Sequence, residues 1–365
     1  MEKVKLSDIC NPKQWKAIST SDLLNEGYPV YGANGIIGYY NEYNHENPVV
    51  TVTCRGATCG SINITVPKAY VTGNAMCLDD LRSGVEIEYL YYCLKHYDFK
   101  NIISGSAQPQ ITRQGMEKIY IMLCSQEEQK DIVNKLKKTE KIIKLTKQEL
   151  QSLDNLIKAR FVEMFGDPVA NEKGWTTKPL LDMGKCKNGM NFHYDDKGIE
   201  INCLGVGDFK NLSIIDNTEE LPTILLNEMP SEEYLLKDDD IVFVRSNGNK
   251  ALVGRSLAVY PGDVPTTFSG FCIRYRKHDN EITVPYLLRV LKTDSMRMKM
   301  AGRGANIQNL NQQILGTLVI PVPPVELQNQ FAAFVTEVDK SKFIKEIKLS
   351  VFAPIIQYGL IEKKT

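Results

Sequence analysis

Gly105-Ser-Ala-Gln-Pro-Gln-Ile111 and, 199 positions later, Gly304-Ala-Asn-Ile-Gln-Asn-Leu310 are two versions of one segment. The same offset, with no gap, lays Ile119, Ile121, Glu127, Gln129 and Ile132 on Leu318, Ile320, Glu326, Gln328 and Phe331. Upstream the offset shortens by two, and Tyr89-Leu90 and Leu94-Lys95 fall on Tyr286-Leu287 and Leu291-Lys292. Cys77 and Cys272 align more loosely. A chain that matches itself at a fixed offset is a duplication, here of halves of about 180 residues.

Each half has the same internal order. Short alternating runs such as Val49–Thr53 and Ile241–Val244 lie between Gly/Asn turns and read as strands. A short helix follows near Glu86–His96 and Pro285–Leu291, then the amide-rich late loop, then a strand at Ile119–Leu123 or Leu318–Val322. A long helix closes each half. In the first, Ile132, Leu136, Thr139, Ile143, Thr146, Leu150, Leu153, Ile157, Arg160 and Met164 are spaced 4-3-4-3, a heptad seam. Ser125 can cap this helix, and Gly166-Asp167-Pro168 stops it. The second seam runs Leu327, Phe331, Phe334, Val338, slips by three, and resumes at Ile344, Ile347 and Val351; Pro354 should kink or end it. The fold expected is α+β, with two β-rich units joined by two long antiparallel coiled-coil helices. The boundaries expected are a first β-rich domain at 1–125, a central helix at 126–165, a second β-rich domain at 166–323 and a distal helix at 324–365. An antiparallel pair would act as a ruler between two heads.

Composition narrows the chemistry. The 365 residues carry 44 Lys+Arg and 44 Asp+Glu, so net charge is zero. Neutrality argues against a free-standing nucleic-acid binder. The charge is unevenly spread, however: residues 166–240 hold 7 basic and 16 acidic side chains, residues 241–303 hold 11 and 4. One basic face is therefore compatible with overall neutrality. No apolar run is long enough for a membrane span, and Met1–Leu6 has no secretory character, so a cytoplasmic location is expected. Nine cysteines without a C-x-x-C pair, with four histidines, allow no zinc-finger spacing. They read as reduced structural thiols, and no metal or cofactor is expected. No Walker A loop occurs, and the lone Pro323-Pro324 lacks the preceding Asn or Asp of a DNA amino-methyltransferase loop. Gly205-x-Gly207-Asp208 is only an echo of a nucleotide loop. No catalytic residue is expected.

Several stretches resemble the DNA specificity subunit of type I restriction–modification systems. Gly27-Tyr-Pro-Val-Tyr-Gly-Ala-Asn-Gly-Ile-Ile-Gly-Tyr-Tyr40 looks like the opening of the family's first target recognition domain. Gly105–Ile111 looks like its late loop, and Glu127-Glu-Gln129 like the start of its helix. Leu156-Ile-Lys-Ala-Arg-Phe-Val-Glu-Met-Phe-Gly-Asp-Pro168 looks like the end of its central helix. The second half departs from the pattern at Ile307 and Pro354. The resemblance implies a non-catalytic scaffold whose two recognition domains each read half of a split double-stranded DNA site. It implies docking of two modification (methyltransferase) subunits, which bring S-adenosylmethionine, and of restriction (translocase/nuclease) subunits, which bring ATP. Partners could then supply much of the phosphate-binding charge. The alternatives are a single-chain methyltransferase or nuclease with unrecognised motifs, and a coiled-coil adaptor with two protein-binding heads.

Two heads that read different sequences cannot specify bases with features they share. Gln108, Gln110, Arg303 and Gln308 of the late loops are good hydrogen-bonders, but their repetition favours positioning a backbone or a neighbouring subunit; a plain polar turn is the other reading. Base readout is expected from the loops that are not shared. In the first half these carry Tyr31, Asn34, Arg55 and Thr58. In the second they are Asn188–Tyr194 and the segment with Arg245, Asn247, Asn249 and Lys250. Arginine can grip guanine, asparagine can pair with adenine, and lysine can meet a phosphate. The same Asn/Gly-rich segment also suits a tight hairpin turn.

Overall fold

The computed structural model describes residues 1–33, 35–105, 108–192, 197–209, 213–301 and 309–358. Two compact units are present: Met1–Glu149 with the segment from Lys345, and Leu150–Ile344. The first unit contains β1 (Glu2–Lys5), β2 (Asn11–Gln14), β3 (Tyr28–Gly32), β4 (Gly35–Tyr40), β5 (Val50–Thr53), β6 (Ile62–Ile64), β7 (Tyr70–Val71) and β8 (Ala75–Asp79). Helix α1 (Ile87–Lys95), β9 (Ile103–Ser104), β10 (Gln110–Ile111), the single turn α2 (Arg113–Met116) and β11 (Tyr120–Leu123) lead into α3 (Gln126–Phe165). The strands form sheets ordered β2-β8-β5-β6 and β4-β3-β7, with β1 on β11 and β9 on β10. Strand β5, Val-Thr-Val-Thr, is buried on both faces, the environment that β-branched side chains suit.

The second unit holds β12 (Thr177–Pro179), β13 (Gly184–Asn188), β14 (Ile199–Leu204), β15 (Ile214–Ile215), β16 (Thr223–Leu226), β17 (Asp240–Val244), β18 (Ser256–Val259), β19 (Thr266–Phe268) and β20 (Cys272–Lys277). Helices α4 (Val284–Leu291), α5 (Asp294–Ala301) and α6 (Gln312–Gly316) precede β21 (Val319–Pro321) and α7 (Val325–Tyr358). Its sheets are β13-β20-β17-β18-β15 and β16-β14-β19, with β12 on β21. The fold is thus α+β. Among the described residues, no helix is long and apolar enough to cross a membrane.

The pairing registers define the duplication residue by residue. Thr53 opposes Ala75 as Val244 opposes Cys272. Thr51 opposes Cys77 as Val242 opposes Arg274. The loose alignment of Cys77 with Cys272 is therefore two residues out of register; Cys77 corresponds to Arg274. The link between each head and its long helix is the same in both units. Gln129 donates to the carbonyls of Gly84 and Cys124 at 3.0 and 2.9 Å and accepts from the Glu86 amide at 2.8 Å. Gln328 donates to those of Glu281 and Pro323 at 2.9 and 2.8 Å and accepts from the Thr283 amide at 2.8 Å. Both side chains are 0% exposed. Beside them the Tyr89 and Tyr286 hydroxyls donate to the carbonyls of Met122 and Pro321, at 2.6 and 3.0 Å. A buried amide is tolerated only when its partners are supplied, and here backbone supplies all three.

Helix α3 begins with a capping box, Glu128 N to Ser125 Oγ at 3.3 Å and Ser125 N to Glu128 Oε2 at 3.1 Å. It ends at Gly166, which takes the left-handed φ of +76°. Every residue of its heptad seam is buried or half-buried. A second buried face was not anticipated: Val133 packs with Tyr89 and Tyr92, and Phe161 and Phe165 pack with Tyr286 and Phe331. In the second unit, Asp154 meets Lys342 at 2.8 Å, and Phe161, farther along α3, meets Phe331, farther back on α7. The two helices therefore run antiparallel there. In the first unit Glu149 pairs with Lys345.

The distal seam differs from the expectation. Ile344, Ile347 and Val351 are 66%, 48% and 58% exposed. Lys342, Lys345, Leu349 and Phe352 take the inward face instead. The two lysines bury their stems and pair with carboxylates of α3, which holds that face inward. Pro354 does not end the helix, which continues to Tyr358.

Candidate nucleic-acid interface

The same hydrogen bond brings the late loop to the end of the central strand in each head. The Ile111 amide donates to the Cys54 carbonyl at 3.0 Å, and the Leu310 amide to the Arg245 carbonyl at 2.8 Å. Cys54 and Arg245 each follow the central strand directly, and their amides donate to Asn74 and Phe271 carbonyls at 3.1 and 2.8 Å. The shared loop and the variable loop thus meet at one equivalent place in both units.

In the first head this place is polar and concave. Ala33, Arg55, Gly56, Asn74, Gln108, Pro109 and Gln110 line a cavity of about 560 Å³. The backbones of Arg55 and Gln110 pair as an isolated antiparallel β-bridge, and the Gly56 amide donates to the Pro109 carbonyl. Arg55 and Gln108 are exposed and Gln110 is half-buried. A guanidinium beside two carboxamides offers donors and acceptors in the combination that base edges and phosphates accept. Thr58 is half-buried, with its hydroxyl 3.5 Å from the Ala33 carbonyl. Tyr31 is a correction. It is 6% exposed, and its hydroxyl accepts the Val66 amide at 3.2 Å. Its ring packs among Val49, Ala69, Val71, Ala75 and Cys77, which leaves little of it to present to DNA. Asn34 lies outside the described residues.

In the second head Arg245 is half-buried, and its Nη1 donates to the Gly270 carbonyl at 3.3 Å, a long bond that leaves most of the fork available. Asn247 Oδ1 accepts the Asn249 amide at 2.8 Å, and Asn249 Oδ1 accepts the Ala251 amide at 3.1 Å. These carboxamide oxygens shape the turn, as the hairpin reading allowed, and the amide nitrogens at their other ends are the groups left to donate. Lys250 is exposed on the same turn. Arg303 and Gln308 lie outside the described residues, as do His193 and Tyr194 of the Asn188–Tyr194 loop. Two neighbours escaped the sequence reading. Asn74 lines the first cavity, and Phe271, beside Arg245, is 62% exposed. The signal for Phe271 was an aromatic after Ser269-Gly270 in a turn, where a core residue is out of place.

A family model described as the type I restriction modification DNA specificity domain matches residues 1–155 and again 172–351. The EcoprrI specificity subunit of Escherichia coli is 28% identical over 102 residues, 28% of this chain and 25% of that one. The StySPI specificity subunit of Salmonella potsdam is 25% identical over 297 residues, 75% of this chain and 59% of the relative. The matches thus span from a quarter to about three-fifths of those two proteins. Among solved structures, a type I restriction-modification S subunit from M. genitalium superposes with a TM-score of 0.59 at 17% identity, covering 100% of this chain and 96% of that one. A chain from a study of assembly and conformational transition of the type I R-M system superposes at 0.61 with 16% identity, covering 98% and 96%. At these identities the superpositions speak to fold.

Proposed function

The chain belongs to the type I restriction modification DNA specificity family, and from that premise we propose that it is the sequence-reading subunit of a type I restriction–modification complex. Each head reads one half of a split double-stranded site. Two methyltransferase subunits and restriction subunits dock on the chain and perform the chemistry with S-adenosylmethionine and ATP, so the chain itself catalyses nothing. The complex works in the cytoplasm. The observation that carries this reading is the contrast between the heads. What they share, the buried glutamines and tyrosines at the head–helix joint, is structural. What differs, Arg55 with its neighbours against Arg245 with its neighbours, sits at the same place in each fold. That is the arrangement two independent readers on a common frame require. The alternatives of a single-chain enzyme and a protein-binding adaptor draw no support from the residues at those loops.

The test replaces residues 166–323 by the second head of another family member and maps DNA methylation in cells that carry the partner subunits. One half of the methylated site should change and the other half persist. Simultaneous change of both halves, or methylation independent of this chain, defeats the reading.

A further inference from the structure

A second site lies in the first unit, on β8 and the segment before β5. Asn44 pairs with the Val71 backbone: its Nδ2 donates to the carbonyl at 3.0 Å and its Oδ1 accepts the amide at 2.8 Å. That double contact fixes which end of the carboxamide is oxygen. The same Oδ1 lies 2.6 Å from His45 Nδ1, so Nδ1 carries the ring proton. Nε2 faces Asp79 Oδ1 at 3.0 Å, and a second ring proton or a cation must lie between these two atoms. The opposite carboxylate oxygen is held by Trp15 Nε1 at 3.0 Å. Cys77 precedes Asp79 by two residues on the same face of the strand. One ligand atom from each of His45, Cys77 and Asp79 lies within 4.8 Å of the others.

We propose that His45 Nε2, Cys77 Sγ and Asp79 Oδ1 bind a divalent zinc-class ion. Mixed nitrogen, sulfur and oxygen ligands suit zinc, and three protein ligands leave a fourth position for water. A cavity of about 620 Å³, lined in part by Lys13, Trp15, Asn44, His45 and Asp79, opens on the histidine and carboxylate ligands, while Cys77 lies buried behind them. The Lys13 ammonium is drawn over the Trp15 ring, 3.8 Å from its centre. Asn44 and Trp15 are the outer partners that set the imidazole tautomer and orient the carboxylate. Burial and Asp79 push the Cys77 thiol well above its ordinary range, so the free chain keeps that proton. Binding exchanges the S–H bond for a sulfur–metal bond, the proton leaves to solvent, and no electron moves. The ion would tie β8 to His45, which itself bridges Ala69, and so pin the segment between β4 and β5 to the sheet.

The test uses the full chain, stripped with a chelator and titrated with Co²⁺. One equivalent should bind, with a thiolate-to-cobalt charge-transfer band that Zn²⁺ abolishes. Cys77→Ser should lose the band, and Trp15→Phe, which keeps all three ligands, should weaken binding 10–100-fold. Native mass of the wild type with Zn²⁺ gives a readout independent of any variant's folding. A folded wild-type chain that takes up neither metal overturns the proposal and leaves a second proton on His45 as the group between Nε2 and Asp79. A band that survives in Cys77→Ser overturns the assignment of the thiol.

Discussion

Gln129→Leu keeps roughly the volume of the side chain and removes its three hydrogen bonds to the Glu86 amide and the Gly84 and Cys124 carbonyls. Each buried backbone group left without a partner costs about 1–3 kcal/mol. Three such groups at a joint that can partly rehydrate should cost about 3–5 kcal/mol. For a unit of this size that lowers the unfolding midpoint by roughly 10 °C. The chain supplies its own reporters, because its two tryptophans, Trp15 and Trp175, lie one in each unit. In a Trp175→Phe background, Trp15 fluorescence follows the first unit; in a Trp15→Phe background, Trp175 follows the second. Gln129→Leu should move the Trp15 transition and leave Trp175 nearly in place, and Gln328→Leu should do the reverse. A shift below about 1 kcal/mol, or equal shifts at both reporters, would refute the view that each glutamine clasps its own head.

Arg55→Ala and Arg245→Ala should each weaken binding of the assembled complex to its own site by about 1–3 kcal/mol, read by competition against scrambled DNA; a uniform loss on all sequences would make them phosphate contacts. Lys95 and Lys292 are equivalent positions, but Lys95 reaches Glu140 at 2.8 Å, whereas the shorter Asp339 leaves Lys292 without such a partner. Burial, then the charges of Arg289 and Lys342, pull the Lys292 ammonium down to about 8. The unfolded chain therefore binds the extra proton more tightly, and stability rises as pH climbs from about 8 to about 10.4. Lys292→Met should stabilise the second unit by about 1–2 kcal/mol at pH 7, with the gain fading across that window in pH-resolved melts; a gain that does not change with pH defeats this account. Deleting Thr139–Leu145 removes one heptad and about 10.5 Å of helix, so the methylated site should acquire a shorter spacer; an unchanged spacer at full affinity excludes α3 as its determinant.

The duplication was legible in the sequence because its landmarks are structural. Gln129 and Gln328 align without a gap, and the folded chain gives them the same three partners. The antiparallel pair was legible from the 4-3 spacing of α3, which every seam residue obeys. The distal half of α7 departs from its hydrophobic spacing because apolar residues do not mark its inward face. Lysine stems can line that face while their ammonium groups reach Asp154 and Glu149, and Ile344 and Ile347 then turn outward. Tyr31 lies in β3 with its hydroxyl accepting from the Val66 amide; a segment's difference between the halves says nothing of its burial. Arg55 and Gln110 are far apart in sequence, and backbone pairing of the late loop with the end of β5 brings them together. The His45, Cys77 and Asp79 grouping had no signature, since His45 reaches β8 from the segment between β4 and β5 rather than from a fixed spacing.

The joint between head and helix asks almost nothing of the head it holds. It uses one glutamine on the helix, one tyrosine on the neighbouring short helix, and otherwise carbonyls and amides that any sequence supplies. A crossover falling near Ser125 or Pro323 therefore preserves the joint for any upstream head that keeps the tyrosine on its short helix. Heads can be inherited as cassettes, between alleles or between the two halves of one gene, with the folding problem already solved at the seam.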